Sequence, residues 1–366
     1  MKNAPFNLLK LEGGLGALVG KYEARPDTGE LHFSLAIPSR NWNWRWSSSA
    51  SGSVRRYFIA SATKLYVTAL IMQLRHEGRL DLDASAACYL EPSIMAGIHL
   101  LRGVDSSRSI TVRHLLSHTS GIADYFEQCR DDGISQYREC IRHDFGWSFD
   151  DVLRITKEQL TPRFVPGSPG KAFYSDTNYQ LLGAIIESIE GVACEQALFR
   201  RIIQPLGLAQ TFSFTNDIVT CYSEIAPMLF GKKPMTIPRA MASFRADGGM
   251  ISTADDGITF LQAFMTGKLF PAHYLEEMQR IWNPVFPPLE YGVGLMRFLL
   301  PRYYTLFMKM PPMIGHSGAS GALLYYVPKL DLYISGTVNQ IRKRSLSYNL
   351  MVRLVMACNS YLNTEK

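Results

Sequence analysis

Ser61-Ala62-Thr63-Lys64 sets a hydroxyl and an amine three residues apart. On a helix, residues at i and i+3 share a face, so rigid backbone would hold a nucleophile beside a base. A free serine is a poor nucleophile and needs that base. A lysine can serve once burial lowers its hold on a proton toward neutrality. The N-terminus of the same helix aims unpaired N–H groups at Ser61, which suits a developing oxyanion. Two more segments carry chemistry. Phe173-Tyr174-Ser175-Asp176-Thr177-Asn178 puts a phenol just ahead of a helix, where it can shuttle a proton. Gly315-His316-Ser317-Gly318-Ala319-Ser320-Gly321 has glycines that let a ligand or another backbone approach a strand edge. A backbone N–H on that edge would be a second oxyanion donor. Taken singly, each segment has a plainer reading: a chance pair on a helix, a packing tyrosine, a glycine-rich loop.

The elements that must position these groups follow from periodicity. Residues 61–77 read as a helix closed by Gly78, and Leu65 to Met72 is apolar nearly all round, so this helix should lie at the centre. Further helices are expected at 112–117, at 149–159 after the N-cap Ser148, at 178–190 before Gly191, at 194–204, from a capping box at 252–256 to Thr266, and at 345–361. Residues 30–37 partly alternate and 41–46 alternate strictly, which places Trp42, Trp44 and Trp46 on one strand face. That face should pack on a helix; the alternative is an exposed aromatic platform. Strand-like runs recur at 293–300, 304–308, 322–327 and 332–338, the last two joined by a turn at Pro328 to Asp331. Gly13-Gly14-Leu15-Gly16 interrupts the N-terminal stretch. Strands at both chain ends with a helical middle imply an α+β fold: one antiparallel sheet built from residues 1–60 and 238–366, and a mainly helical insertion over 61–237, with the site between them.

In this order the three segments resemble those of the serine β-lactamase/penicillin-binding protein superfamily. The branch most like this chain holds class C β-lactamases, D-alanyl-D-alanine carboxypeptidases and β-lactamase-fold esterases. Phe58 to Lys64 resembles the family's nucleophile segment, and Ile110 to Ile122 its LLSHTSG segment. Phe164 to Gly167, Gly248 to Asp256 and Tyr291 to Leu295 also match its usual wording, so the resemblance spans about residues 55–340. It implies a β-lactamase/transpeptidase-like fold, an antiparallel sheet flanked by N- and C-terminal helices plus an all-helical insertion. It implies Ser61 as the acylated nucleophile, Lys64 as base working with Tyr174, and the N–H groups of Ser61 and Ala319 as the oxyanion hole. His316-Ser317-Gly318 stands where many relatives have Lys-Thr-Gly, and Asp176 where they have asparagine. An acid at 176 favours charged Lys64 and opposes its use as a base, unless Asp176 is protonated or turned away. Histidine at 316 is cationic only in part near pH 7, so recognition of carboxylate-bearing β-lactams is weakened.

Composition closes off other classes. With 47% hydrophobic and 19% charged residues, the 366-residue chain is not disordered and can bury a core without disulfides or metals. The net charge of +6 is spread along the chain, and no basic stripe supports nucleic-acid binding. None of the six cysteines forms a C-x-x-C pair, and free buried thiols are expected. His114 and His118 lack the glutamate of a zincin motif, so no metal and no cofactor are expected. The first ten residues show no signal-peptide h-region, and the longest apolar run is far short of a membrane span, so the expected location is cytoplasmic with no membrane partner. The expected function is a serine hydrolase acting through an acyl-enzyme on small esters first, peptides or D-amino-acid amides second and β-lactams third. The alternatives are β-lactamase or D-alanyl-D-alanine carboxypeptidase activity, or a binding or scaffold protein that has kept the fold without turnover. Oligomeric state is not legible.

Overall fold

The computed structural model describes residues 8–48, 55–300 and 310–363. Its centre is an eight-stranded antiparallel sheet. In chain order the strands are β1 (His32–Ile37), β2 (Trp42–Ser47), β3 (Asn283–Phe286), β4 (Leu289–Tyr291), β5 (Met296–Phe298), β6 (Met313–Ser317), β7 (Ala322–Val327) and β8 (Leu332–Thr337). Their spatial order is β3-β4-β5-β6-β7-β8-β1-β2, so the two chain ends meet where β1 pairs with β8, His32 opposite Thr337. The β1–β2 and β7–β8 hairpins turn alike. A proline opens a short 3₁₀ turn, and Asn41 (φ 49°) or Asp331 (φ 48°) closes it in the left-handed region that short polar side chains tolerate. Ser39 N–H donates to the Asp331 carboxylate at 2.8 Å and ties the two turns together.

Both sheet faces are covered, and the side-chain alternation shows it. Leu323, Tyr325 and Val327 of β7 join one hydrophobic core, while Ala322 and Leu324 join another. The first core is closed by α1 (Leu8–Glu23) and the C-terminal α5 (Ser345–Asn363). The second contains the central helix α2 (Thr63–His76), α3 (Asp176–Glu190) and α4 (Ala254–Met265). Every residue from Thr63 to Met72 is buried, as the all-apolar pattern requires, and the Tyr66 ring stacks on Phe260 of α4 at 3.6 Å.

Several expectations need amending. The stretch around Gly13, Gly14 and Gly16 is helical, although each glycine costs a helix about 1 kcal/mol relative to alanine. Burial of Leu11, Leu15, Val19 and Tyr22 outweighs that. Gly16 also lets the Trp46 ring approach closely, and Trp42 donates its indole N–H to Glu12 at 3.1 Å. The tryptophan face is therefore packed on α1, not an open platform. The run at 293–300 shrinks to Met296–Phe298 because the chain bends to meet α2. Gly294 (φ 75°) accepts from Thr68 Oγ1 at 3.1 Å, and a side chain there would strike Thr68. The expected strand at 304–308 lies outside the described residues. The helix begun at Cys194 continues as a π turn over Phe199–Ile203. All six cysteines are free, but Cys88 and Cys129 are exposed and Cys221 is half-buried, so only three are core thiols.

Candidate active site

Ser61 lies in a 3₁₀ turn (Ala60–Ala62) that runs directly into α2. Ala60 adopts φ 45°, a left-handed conformation that a residue with a Cβ takes up only under constraint. The constraint comes from two neighbouring segments. Ile59 N–H donates to Met250 O at 3.0 Å, and Ser320 Oγ donates to Phe58 O at 2.7 Å. Gly318, just past β6, sits so close that an added Cβ would be 2.2 Å from the Ile59 carbonyl oxygen. Glycine at 318 is what lets the β6 end and the Ser61 turn touch.

Lys64 is completely buried in the first turn of α2. Its Nζ lies 3.2 Å from Ser61 Oγ, 2.7 Å from Asp176 Oδ1 and 2.5 Å from the Asp247 carbonyl oxygen. It also stands over the rings of Tyr174 and Tyr179, at 5.2 and 5.3 Å. The i, i+3 spacing thus delivers the contact expected of it. Asp176 opens α3, two residues earlier than periodicity suggested, and faces Lys64 as an ion-pair partner.

Tyr174 lies on the loop before α3. Its ring stacks on His118 at 4.3 Å, and Ser175 N–H donates to His118 Nδ1 at 3.1 Å. Ser120 Oγ donates to Asn178 Oδ1 at 2.7 Å. The 115–121 segment therefore braces the tyrosine loop. His114 closes a capping box with Thr111, and His118 serves this bracing. Burial, then the Asp176 carboxylate, push the Tyr174 phenol well above its ordinary value, partly offset by Ser61. Tyr174 is thus a protonated phenol near neutral pH, equipped to relay a proton.

His316 departs from expectation. Its ring is fully buried, and it does not line the cavity above Ser61. Tyr291 O–H donates to Nε2 at 2.9 Å, and Nδ1 donates to the Ser317 carbonyl at 2.7 Å, which fixes the neutral tautomer. Burial, followed by repulsion from Lys64, pushes the ring down to about 3. A partly cationic histidine offered to a substrate carboxylate is not what the structure contains, because strand β6 turns this side chain into the core. Ser317, Gly318 and Ala319 do line the cavity, and Ser317 Oγ is hydrogen-bonded to Tyr348 O–H.

Two aspartates escaped the sequence reading. Asp247 accepts from Tyr125 O–H at 2.8 Å and Gln180 Nε2 at 2.9 Å through one oxygen, while its other oxygen has no partner. Asp124 accepts from the backbone N–H of Asp176 at 2.8 Å and of Glu127 at 2.7 Å. Burial, then Asp176, push the Asp124 carboxyl up to about 8 and the Asp247 carboxyl well above the usual range. Each is an isolated acid in sequence with no diagnostic spacing; only folding brings them beside Asp176. Among the described residues no group of three or more His, Cys, Asp or Glu is arranged to hold a metal ion. None of the described helices is long and apolar enough to cross a membrane.

Ser61, Tyr174, Asp176 and Asp247 open onto a cavity of about 700 Å³. A serine hydroxyl thus stands beside a buried amine, with a phenol and a strand edge on the same cavity. Comparisons with known proteins bear on the family and the fold. The family model described as Beta-lactamase matches residues 27–350. A putative penicillin-binding protein PbpX from Bacillus subtilis (strain 168) is 26% identical over 260 residues, 70% of this chain and 56% of that protein. A putative D-alanyl-D-alanine carboxypeptidase from Escherichia coli (strain K12) is 29% identical over 198 residues, 53% of this chain and 39% of that protein. The chain thus spans about half the length of these curated relatives, or less. Among solved structures, a D-stereospecific amidohydrolase from Streptomyces sp. superposes with a TM-score of 0.71 at 25% identity, covering 91% of this chain and 94% of that one. D-amino acid amidase from Ochrobactrum anthropi SV3 shares the fold with a TM-score of 0.78 at 19% identity, covering 96% and 99%. With a family model spanning most of its length and a matching fold, the chain belongs to the Beta-lactamase family.

Proposed function

We propose that this chain hydrolyses esters or amides through an acyl-enzyme on Ser61. The contact that carries the reading is Lys64 Nζ at 3.2 Å from Ser61 Oγ and 2.7 Å from Asp176 Oδ1. The amine becomes a base when the proton of the ion pair resides on Asp176. Ser61 Oγ then attacks the carbonyl carbon, and its proton passes to Lys64, directly or through the Tyr174 hydroxyl. The backbone N–H groups of Ser61 and Ala319 receive the oxyanion. Collapse of the tetrahedral intermediate expels the alkoxide or amine, which takes up the proton. Water then attacks the acyl-serine along the same proton path, releases the acid and restores the Ser61 hydroxyl. A mainly apolar cavity and a neutral His316 support small esters as the first substrate class. The likeness to D-amino-acid-amide and D-stereospecific hydrolases supports amides as the second.

The test is labelling by a fluorophosphonate probe followed by mass spectrometry of the peptide containing Ser61. Stoichiometric modification of Ser61 is expected, and labelling elsewhere or nowhere would sink the mechanism. The buried Lys64–Asp176 pair favours one rival, a binding protein in which the amine is permanently engaged. Ester hydrolysis by wild type and Ser61→Ala at the same background rate would decide for it.

A further inference from the structure

The cavity above Ser61 is far larger than an acetyl group needs. Its volume, about 700 Å³, falls within the roughly 300–1,000 Å³ of pockets that enclose a drug-sized ligand. Two apolar walls from different parts of the fold meet there. Phe126, Met241 and Phe244 belong to the cluster between the helical segments, and Leu289, Met296 and Phe298 to the cluster under the sheet edge. At the rim, Phe286 is 47% exposed, with its ring centroid 5.7 Å from that of Tyr174.

The charges of the wall are equally informative. Among the described lining residues the carboxylic acids and basic side chains are Glu127, Asp176, Asp247 and Arg344. Arg344 pairs with Glu127, and Asp176 pairs with Lys64. Asp247 faces the neutral donors Tyr125 and Gln180, and burial strengthens its hold on a proton. His316, at the position where a fixed cation would serve a substrate carboxylate, is neutral and off the wall. Every charge among the described wall residues is thus answered from within the protein. Among these residues a substrate carboxylate would find no free counter-ion, and burying an unpaired carboxylate is strongly unfavourable. An alkyl or aryl group would gain the full benefit of leaving water.

We infer that the cavity selects neutral lipophilic esters or amides, whose extended or bulky apolar group lies between the two walls, and discriminates against substrates bearing their own carboxylate. This rests on the hydrolase reading above and names the substrate class of that site.

The experiment compares p-nitrophenyl acetate, butyrate, hexanoate and octanoate, with Ser61→Ala as the background. A matched pair is added: the octanoate and the p-nitrophenyl half-ester of suberic acid, its carboxylate analogue of equal carbon count. The expected kcat/KM rises about two- to fourfold per added methylene, fourfold being the full transfer value of one methylene. The neutral octanoate should exceed its carboxylate analogue by about tenfold or more. Phe286→Asp, at an exposed position where folding is not at stake, should lower octanoate turnover about fivefold more than acetate turnover. A flat or falling chain-length series, or preference for the carboxylate analogue, overturns the inference while leaving the hydrolase reading intact. Absence of Ser61-dependent turnover of every ester overturns the hydrolase reading. Calorimetry of methyl octanoate on Ser61→Ala then decides the cavity separately. Binding with a negative heat-capacity change supports lipophilic selection, and no binding overturns it.

Discussion

On the helical side of Ser61 the Lys64 amine is buried together with an anion; on the sheet side the His316 ring is buried with neutral partners alone. Lys64 meets the Asp176 carboxylate at 2.7 Å, with Asp124 and Asp247 close behind it. His316 meets the Tyr291 hydroxyl and its neighbour's carbonyl, and the nearby cation, Lys64, repels its proton. The same loss of water therefore meets two different sets of partners. Burial disfavours any ion, but a matched ion at hydrogen-bond distance can hold the pair charged, whereas a ring facing phenols and carbonyls sheds its proton. Under the proposed mechanism the difference would divide the work: one side would move a proton, and the other supplies fixed neutral structure beside the strand edge.

The strongest test removes the charged side. Ser61→Ala should lower kcat/KM by about a thousandfold or more, and Lys64→Met comparably, because nucleophile and base act as a unit. Lys64→Met also strands Asp176 in the interior and should cost about 3–5 kcal/mol in urea denaturation. Equal loss of activity with unchanged stability would show that Asp176 finds another partner. Gly318→Ala ranks next. Its methyl would press on the Ile59 carbonyl oxygen, displacing the strand edge from the Ser61 turn. A loss of about 1–3 kcal/mol is expected in the same denaturation assay, with at least tenfold lower acylation by stopped flow. Unaltered acylation would mean that the edge contributes no donor.

Asp176→Asn converts the ion pair into a hydrogen bond and makes the two sides alike. With the anion gone, the buried ammonium loses the partner that favours its charged form, so more acid is needed to protonate it and the acidic limb of the pH–rate profile should move to lower pH. An unshifted limb would break the link between Asp176 and the proton of Lys64. The two smallest effects concern pH-dependent stability. His316 binds its proton more weakly folded than unfolded, so its contribution is complete above about pH 6.5 and is lost as pH falls toward about 3. His316→Gln should flatten the melting-temperature profile in that window. Asp247 has the opposite sign. Its carboxyl binds a proton more tightly when folded, so its contribution is complete below the ordinary carboxyl value of 3.8 and declines as pH rises above it. Asp247→Asn imitates the protonated acid, keeping one oxygen for Tyr125 and Gln180. It should gain stability over wild type at alkaline pH, and an alkaline melting temperature no higher than wild type would remove Asp247 from this account.

The legible parts of the molecule were those written in local chemistry. Ser61 and Lys64 could be paired because a helix fixes i, i+3 neighbours. The central position of α2 could be read because Leu65 to Met72 leaves no polar face. The hairpin turn at Pro328–Asp331 announced itself through residues that favour that backbone. Helix α1 was missed because glycine propensity argues against it, and its compensation lies on distant partners, the tryptophans of β2 and the helix α5. Asp124 and Asp247 were missed for a related reason: neither stands at a diagnostic distance from Lys64 in sequence.

What the sequence by itself determined is the identity and order of the candidate reacting groups and the alternation of strands and helices, since both are set by near neighbours along the chain. What the tertiary structure alone decided is their electrical state. Whether Asp176 faces Lys64, whether His316 points to solvent or into the core, and whether Arg344 is already answered by Glu127 depend on contacts between residues far apart in sequence. Charge in a protein interior is settled by what lies within a few ångströms, and those neighbours exist only after the chain has folded.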